Sequence, residues 1–436
     1  MKRILLIGNG AREHAIAEAV VKSPQDIGLY SIMSAKNPGI LKLSDQIKIT
    51  DLDNLPAIEE FVRLIEPHMA VIGPEAPLMS GIVDLLEKMG VPSVGPKKAL
   101  ARLETSKGYL RELMKKNDIP GLPQFRVFKN KEGLADFLKS LDGFVVKPDG
   151  LTGGKGVKVQ GEHLHSVQDA VDYCEEIFSQ DENAIVEEKL IGEEFSLQCF
   201  TDGYCVIPCP VVQDHKRAYV GDKGPNTGGM GSYSCKNHML PFINEEHIAE
   251  AVRITKLVAK ALRDDNGEPY KGIMYGGFIT TKEGVKLIEY NARFGDPEAM
   301  NVLPLLGTDF VDICDAIINS ELDRVDVEFD KKATVCKYAV PEGYPTDPVK
   351  NKKIDLSLVP KDVKIYYASV DKKEDVLYMS SSRAIAIVGI ANTLEEAEFI
   401  AERAVKKIKG PLFHREDIGT AELIKKRIEH MEELME

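Results

Sequence analysis

"VKLIEYNARFGDPE", residues 285–298, is the stretch on which the reading of the chain turns. It starts as a strand, so Glu289 and Asn291, two apart, point to the same side. Arg293 is the next residue on that side if the strand runs on. Two hard oxygen donors on one face suit Mg²⁺, which takes a few protein oxygens and completes its shell with water and phosphate oxygens. A planar guanidinium beside them suits a transferring phosphoryl group or a carboxylate. Two acids, Asp296 and Glu298, follow at once. A solvated edge strand also tolerates Glu, Asn and Arg, so the neighbouring segments must decide.

Three such segments lie upstream. In "KPDGLTGGKGVKV" (147–159), Lys147 ends an apolar run and Gly153, Gly154 and Gly156 surround Lys155. Successive N–H groups without a Cβ in the way can converge on phosphate oxygens. No Ser or Thr follows Lys155, and the loop lies between two strands, so it is not a Walker loop. Alone it is balanced between a phosphate flap and a mobile hairpin tip. "IVEEKLIGEEFSL" (185–197) joins two strands through a short hinge. "QDHKRAYVGDKGPNTGGMGSYS" (213–234) sets Lys216, Arg217 and Lys223 beside a glycine-rich turn, which suits a second anionic ligand. His215 within it reads as a structural or surface histidine rather than a catalytic base.

The chain around these segments has 436 residues, enough for roughly three domains. A net charge of −13 argues against nucleic-acid binding, which needs a basic footprint. No apolar run approaches membrane-spanning length. Seven cysteines without a CxxC pair read as free thiols in a reducing compartment, so a cytoplasmic location is expected. Over the first hundred residues strands alternate with helices, which predicts a parallel sheet with ligands at the carboxyl ends of its strands. "GNGAREHA" (8–15) lacks the third glycine of a dinucleotide fingerprint and suits a smaller ligand. One helix is expected to end near Asn117, ahead of Pro120 and Pro123. Asp202-Gly203 reads as a hairpin turn. The last part reads as a small α+β domain. Its one strong helix is "TLEEAEFIAERAVKKIK", with Thr393 and Glu396 as a capping box and Gly410-Pro411 as its stop.

In order along the chain, "GNGAREHA", "GPEAPL", "SKGYLRELM", "KPDGLTGGKGV", "VEEKLIGEEFS", "QDHKR", "GPNTGGMG", "EYNARFGDPE" and "FHREDIG" resemble the phosphoribosylamine–glycine ligase (glycinamide ribonucleotide synthetase) family of the ATP-grasp superfamily. The resemblance covers nearly the whole length, and "GPNTGGMG" with "NARFGDPE" is its most specific part. It implies an α/β and α+β molecule: a preATP-grasp α/β domain (1–103), an ATP-grasp domain (104–325, lobes about 120–190 and 191–325) and a C-terminal α+β domain (326–436). It implies ATP-dependent ligation of glycine to 5-phosphoribosylamine through glycyl phosphate, in a monomer acting on small molecules.

The same resemblance implies the site. Lys107 and Lys147 fall on ATP phosphates with Gly153, Gly154, Lys155 and Gly156, and Glu187, Glu188, Lys189 and Leu190 on adenine. Glu194 falls on ribose, and Glu289 and Asn291 on Mg²⁺ or Mn²⁺. Gly10, Arg12, Glu13, Gly73, Pro74, Glu75, Asp214, Lys216 and Arg217 surround the other substrates, with Pro225, Asn226, Thr227, Gly228, Gly229, Met230, Gly295 and Asp296. Arg293 and Lys147 are the expected catalytic groups. The chain departs from the family pattern at Pro148, at "SAKNPGI" (34–40) and at the serines before Arg383, and "YGGFIT" offers no third acid for a metal. The competing readings are another ATP-grasp carboxylate–amine ligase, a Rossmann-type oxidoreductase and a non-catalytic nucleotide-binding module.

Overall fold

A computed structural model describes residues 1–150 and 156–436; Gly153, Gly154 and Lys155 of the expected phosphate flap lie outside the described residues. The N-terminal part is the expected parallel α/β layer. Lys2–Ile7, at the centre, pairs with Ile27–Met33 on one side and Met69–Ile72 on the other, and Gln46–Ile49 and Ser93–Val94 form the edges. Ile4, Leu5, Leu6 and Ile7 are all fully buried, as a parallel strand covered on both faces requires. Helices Ala11–Val21 and Glu75–Ser80 start directly after the strands Lys2–Ile7 and Met69–Ile72, so both N-termini open at the carboxyl edge of the sheet.

The segment expected as one helix ending near Asn117 is two: Lys98–Thr105 and Lys107–Lys116. The break at Ser106 is held by its own side chain, which caps Tyr109 N and donates to Asp149. The Asp149 carboxylate also accepts from Gly108 N at 2.8 Å, so the second helix is tied to the strand Phe144–Pro148 that bears Lys147.

Two antiparallel sheets follow. The first is ordered Phe125–Phe128, Ala184–Glu188, Phe144–Pro148, Lys158–Val159, and packs on helix Val167–Phe178, capped by Ser166. The second is ordered Val206–Pro208, Glu193–Thr201, Gly272–Thr281, Gly284–Asn291, with helix Glu245–Asn266 against it. Asp202-Gly203 turns the hairpin as expected, the Asp202 carboxylate accepting from Tyr204 N and Cys205 N. In the last strand Leu287 faces Phe278 while Glu289 faces Gly277, so Ile288 is the extra residue of a bulge. Glu289 and Asn291 both lie beyond the bulge and keep a common side. The strand ends at Asn291, so Arg293 follows the strand and is not part of it.

The C-terminal sheet also draws on strands from the middle of the chain. Its core strands Ala333–Pro341, Ile385–Ala391 and Lys364–Tyr367 recruit Gly231–Ser234 and Gln213–Asp214 from the middle of the chain. Helix Leu394–Val405 is shorter than expected; the Thr393 side chain caps Glu396 N, and the reciprocal half of the capping box is not made. All seven cysteines are free, and no helix among the described residues is long and apolar enough to cross a membrane.

Candidate active site

A cavity of about 830 Å³ opens where the three parts of the chain meet. The N-terminal layer contributes Arg12 and Glu75, the paired helices Glu104, Lys107 and Arg111, the first antiparallel sheet Lys147 and Glu187, the second Glu194, Glu289 and Asn291, the C-terminal sheet Asp214, and the loop before its strand Ile385–Ala391 Arg383.

On one side Lys147 Nζ meets Glu187 Oε2 at 2.7 Å. Arg111 grips the same carboxylate with Nε on Oε1 at 2.7 Å and Nη2 on Oε2 at 3.2 Å. Burial pushes the Glu187 carboxyl up, but Arg111 and Lys147 outweigh it and hold it at about 2. Lys107 Nζ donates to Pro148 O at 3.2 Å and Gly150 O at 2.8 Å, and burial pulls its ammonium below the usual lysine range. Glu289 meets Lys216 Nζ at 3.7 Å. Burial pushes the Glu289 carboxyl up as well, yet Lys216, Lys147 and Lys107 keep it below its ordinary value. Glu289 and Asn291 therefore present an ionised carboxylate and an amide oxygen to one cavity wall, a donor set that fits a hard divalent ion.

On the other side Arg293 bridges Glu75 Oε2 at 3.2 Å, Glu104 Oε1 at 3.0 Å and Asn291 Oδ1 at 3.1 Å. Glu104 Oε2 accepts from Ala292 N at 2.7 Å, so one buried carboxyl fixes both the backbone and the side chain just past the strand. Burial raises the Glu75 carboxyl, but Arg293 and Arg12 bring it down to about 2. Arg12 Nη1 donates to Phe294 O at 3.1 Å, and its Nε meets Glu13 Oε1. Glu13 is packed between two glycines: a Cβ on Gly8 or Gly73 would lie 2.4 or 2.3 Å from its Cγ. With Oε2 on Gly10 N, Glu13 holds Arg12 and the loop in place and does not line the cavity.

The expected substrate loops close the far wall. Asp214, Lys216, Arg217, Asn226, Thr227, Gly228 and Asp296 line the cavity. Met230 is fully buried in the core, Pro225 is exposed, and neither Pro225 nor Gly229 nor Gly295 lines the cavity. Gly73 and Pro74 likewise stand behind Glu75. In the hinge, Glu187 turns its carboxylate to the lysine. Glu188 accepts from Gln124 N at 2.8 Å, Lys189 donates to Gln160 O at 3.1 Å, and Leu190 is off the lining. Gly156, at the end of the flap, accepts from Tyr173 OH through its carbonyl.

Arg383 is a wall residue that the sequence did not single out. Its Nη1 donates to Gly228 O at 2.7 Å and Asp296 O at 2.9 Å, and its guanidinium stacks on Tyr338. Arg427, from the C-terminal helix Ala421–Met435, meets Asp222 and Glu193. Glu104 and Arg111 were missed as well. The only sequence cue for either was membership of the helical segment around "SKGYLRELM". His215 is buried with neither ring nitrogen hydrogen-bonded; burial, with Arg415, pulls it down to about 3.

With that geometry in place, three family models cover most of the chain: phosphoribosylglycinamide synthetase N domain over residues 2–104, its ATP-grasp (A) domain over 105–299 and its C domain over 334–421. The chain is 52% identical to the phosphoribosylamine–glycine ligase of Methanocaldococcus jannaschii over 443 residues, and 49% identical to that of Methanosarcina barkeri over 432, with 99% of each chain covered. Among solved structures it is similar to phosphoribosylamine–glycine ligase from Thermotoga maritima, with a TM-score of 0.81, 27% identity, and 95% of this chain and 100% of that one covered. The biotin carboxylase domain of Hydrogenobacter thermophilus 2-oxoglutarate carboxylase shares the fold, with a TM-score of 0.75, 15% identity, and 99% of this chain and 94% of that one covered. The chain belongs to the phosphoribosylglycinamide synthetase family, with the three-part ATP-grasp architecture of that family.

Proposed function

We propose that the chain joins glycine to 5-phosphoribosylamine, driven by ATP, to give glycinamide ribonucleotide, ADP and phosphate in purine nucleotide synthesis. The observation that carries this reading is the meeting, in one cavity, of the Glu289 and Asn291 oxygens with Lys107 and Lys147, opposite Arg12, Arg293 and Arg383. Relatives of near-equal length, about half identical, are named for this reaction.

A carboxylate is a poor acylating agent, so its oxygen must first become part of a leaving group. A glycine carboxylate oxygen attacks the γ-phosphorus of ATP, the bond to the β–γ bridging oxygen breaks, and ADP leaves. The amine nitrogen of phosphoribosylamine then attacks the glycyl carbonyl carbon, the carbon–oxygen bond to phosphate breaks, and the proton lost by the amine leaves on the departing phosphate. Phosphoryl transfer asks the protein mainly for positioning and charge neutralisation. Lys147 and Lys107 hold phosphate oxygens, assisted by Gly153, Gly154, Lys155 and Gly156. The hinge Glu187–Leu190 borders adenine, and Glu194 takes ribose hydroxyls. Arg293 orients the reacting carboxylate. Arg12, Glu75, Asp214, Lys216, Arg217 and the Pro225–Met230 turn surround the other two substrates. Glu289 and Asn291 would hold Mg²⁺ or Mn²⁺, which when bound neutralises phosphate charge.

The test is ADP release from MgATP with glycine and freshly generated phosphoribosylamine, each omitted in turn. ADP is expected only when glycine is present, and in full only with both. ADP release that ignores both substrates would sink the reading.

A further inference from the structure

Every oxygen of Glu187 keeps a donor even if Lys147 departs. Arg111 Nε holds Oε1, and Arg111 Nη2 shares Oε2 with Lys147. Arg111 is 1% exposed and Glu187 3%, so this pair has almost no water to fall back on. A lysine paired only with a buried carboxylate could not leave it, because the carboxylate would remain charged and unpartnered. Arg111 removes that obstacle. Its Nη2 also donates to Ile288 O at 2.7 Å, the residue before Glu289, so the group that stabilises Glu187 is fastened to the strand carrying the metal-type oxygens.

We infer that Arg111 is the positioning residue that allows Lys147 to exchange Glu187 for a nucleotide phosphate. In this structure Lys147 is paired with Glu187. When MgATP enters, its ammonium turns to a phosphate oxygen and Arg111 alone satisfies the carboxylate. Two cations on one carboxylate leave a net positive charge facing the nucleotide. Arg111 does not touch the ligand; it decides whether Lys147 is free to. The inference rests on the placing of Lys147 at ATP phosphate.

A double-mutant cycle tests it, read as KM and kcat for each substrate and as the shift in melting temperature caused by MgATP alone. Arg111→Met should raise KM for MgATP by about tenfold or more, with KM for glycine and phosphoribosylamine within about twofold. Adding Glu187→Gln should bring KM for MgATP back to within about threefold of the parent, because a neutral amide neither holds Lys147 nor needs a cation. A double variant no better than Arg111→Met, or a rise in all three KM values together, would overturn the inference. If Arg111→Met does not fold, Arg111→Lys carries the test: it keeps the charge but loses the two-pronged grip, and should raise KM for MgATP alone by about threefold. An unchanged KM would overturn the inference there too. Lys147→Met separates it from its premise. Nucleotide binding that survives Lys147→Met overturns the phosphate reading; binding lost there but intact in Arg111→Met overturns only the role of Arg111.

Discussion

Two clusters of buried charge face each other across the cavity, built from the same residue types in opposite proportion. On the proposed nucleotide side Lys147 and Arg111 share the single carboxylate of Glu187, with Lys107 close by. On the opposite side Arg12 and Arg293 lie among three carboxyl groups, Glu13, Glu75 and Glu104. The first is rich in cations and, on the inference above, holds a lysine that exchanges its partner. The second ties each guanidinium to carboxyl groups, Arg12 to Glu13 and Arg293 to Glu75 and Glu104. An incoming polyanion is drawn to the first, whereas a ligand bearing an amine suits the second. The contrast teaches that one side carries an excess of cations over carboxylates and the other an excess of carboxylates over cations.

Four changes would break or sharpen this contrast. The largest effect is expected from Glu289→Ala, which removes the charged oxygen at the junction of the two clusters. Turnover should fall by about a thousandfold or more while the melting temperature stays within a few degrees. Near-normal ADP release would take Glu289 out of the metal site. Next is Glu104→Leu, on the fixed side, which leaves Arg293 leaning on Glu75 and orphans Ala292 N. Breaking a buried pair in this way should cost about 3 kcal/mol in denaturant unfolding and lower kcat more than it raises KM for ATP. An equal loss in KM for ATP would show that the two clusters are not separate.

The third concerns His14, two residues after Arg12. It lies between Tyr366 and Tyr367, its Nδ1 accepting from Tyr367 N, and burial pulls it down to about 4 despite Glu18, with Lys364 and Lys42 adding to the fall. The unfolded chain takes up this proton first, so His14 contributes stability that is complete above about pH 6.5 and is lost as pH falls toward about 4. Between pH 7.5 and 5 the difference is about 2 kcal/mol. His14→Gln, which cannot titrate, should show an unfolding free energy flatter by that amount; an unchanged slope would refute the assignment. The smallest effect is expected from Ser106→Ala, which removes the cap between the helix bearing Glu104 and the helix bearing Arg111. A loss of about 1 kcal/mol is expected from thermal unfolding, with little change in KM for any substrate. A selective rise in KM for ATP would show that the break between the helices tunes the nucleotide side.

What the sequence made legible was whatever its periodicity or glycines encode locally. The run Ile4–Ile7, too short for a signal peptide and followed by charged residues, reads as a buried first strand, and the two-residue spacing of Glu289 and Asn291 fixes their common side despite the bulge before them. The missed residues act over long separations. Arg111 meets a carboxylate 76 positions away and Glu104 a guanidinium 189 away, and neither partner alters the local pattern of its helix. The break at Ser106 escaped notice because serine neither stops a helix as proline does nor disturbs the apolar spacing around it. The sharing of the C-terminal sheet escaped for a related reason: Gln213–Asp214 and Gly231–Ser234 are short and polar or glycine-bearing, with no alternation to read.

That shared sheet sets a limit on how the molecule can be dissected. Gly231–Ser234 runs its whole length against Ala333–Pro341, and Asn301 reaches Thr334 from the other side of any cut made between them. A fragment ending near residue 330 would keep nearly all the cavity walls yet bare a strand edge and lose Arg383 and Arg427. Such a fragment should self-associate through that edge. The stretch that looks in sequence like an appended module is a splint for the strand Gly231–Ser234 and, through it, for Gln213–Asp214, which lines the cavity.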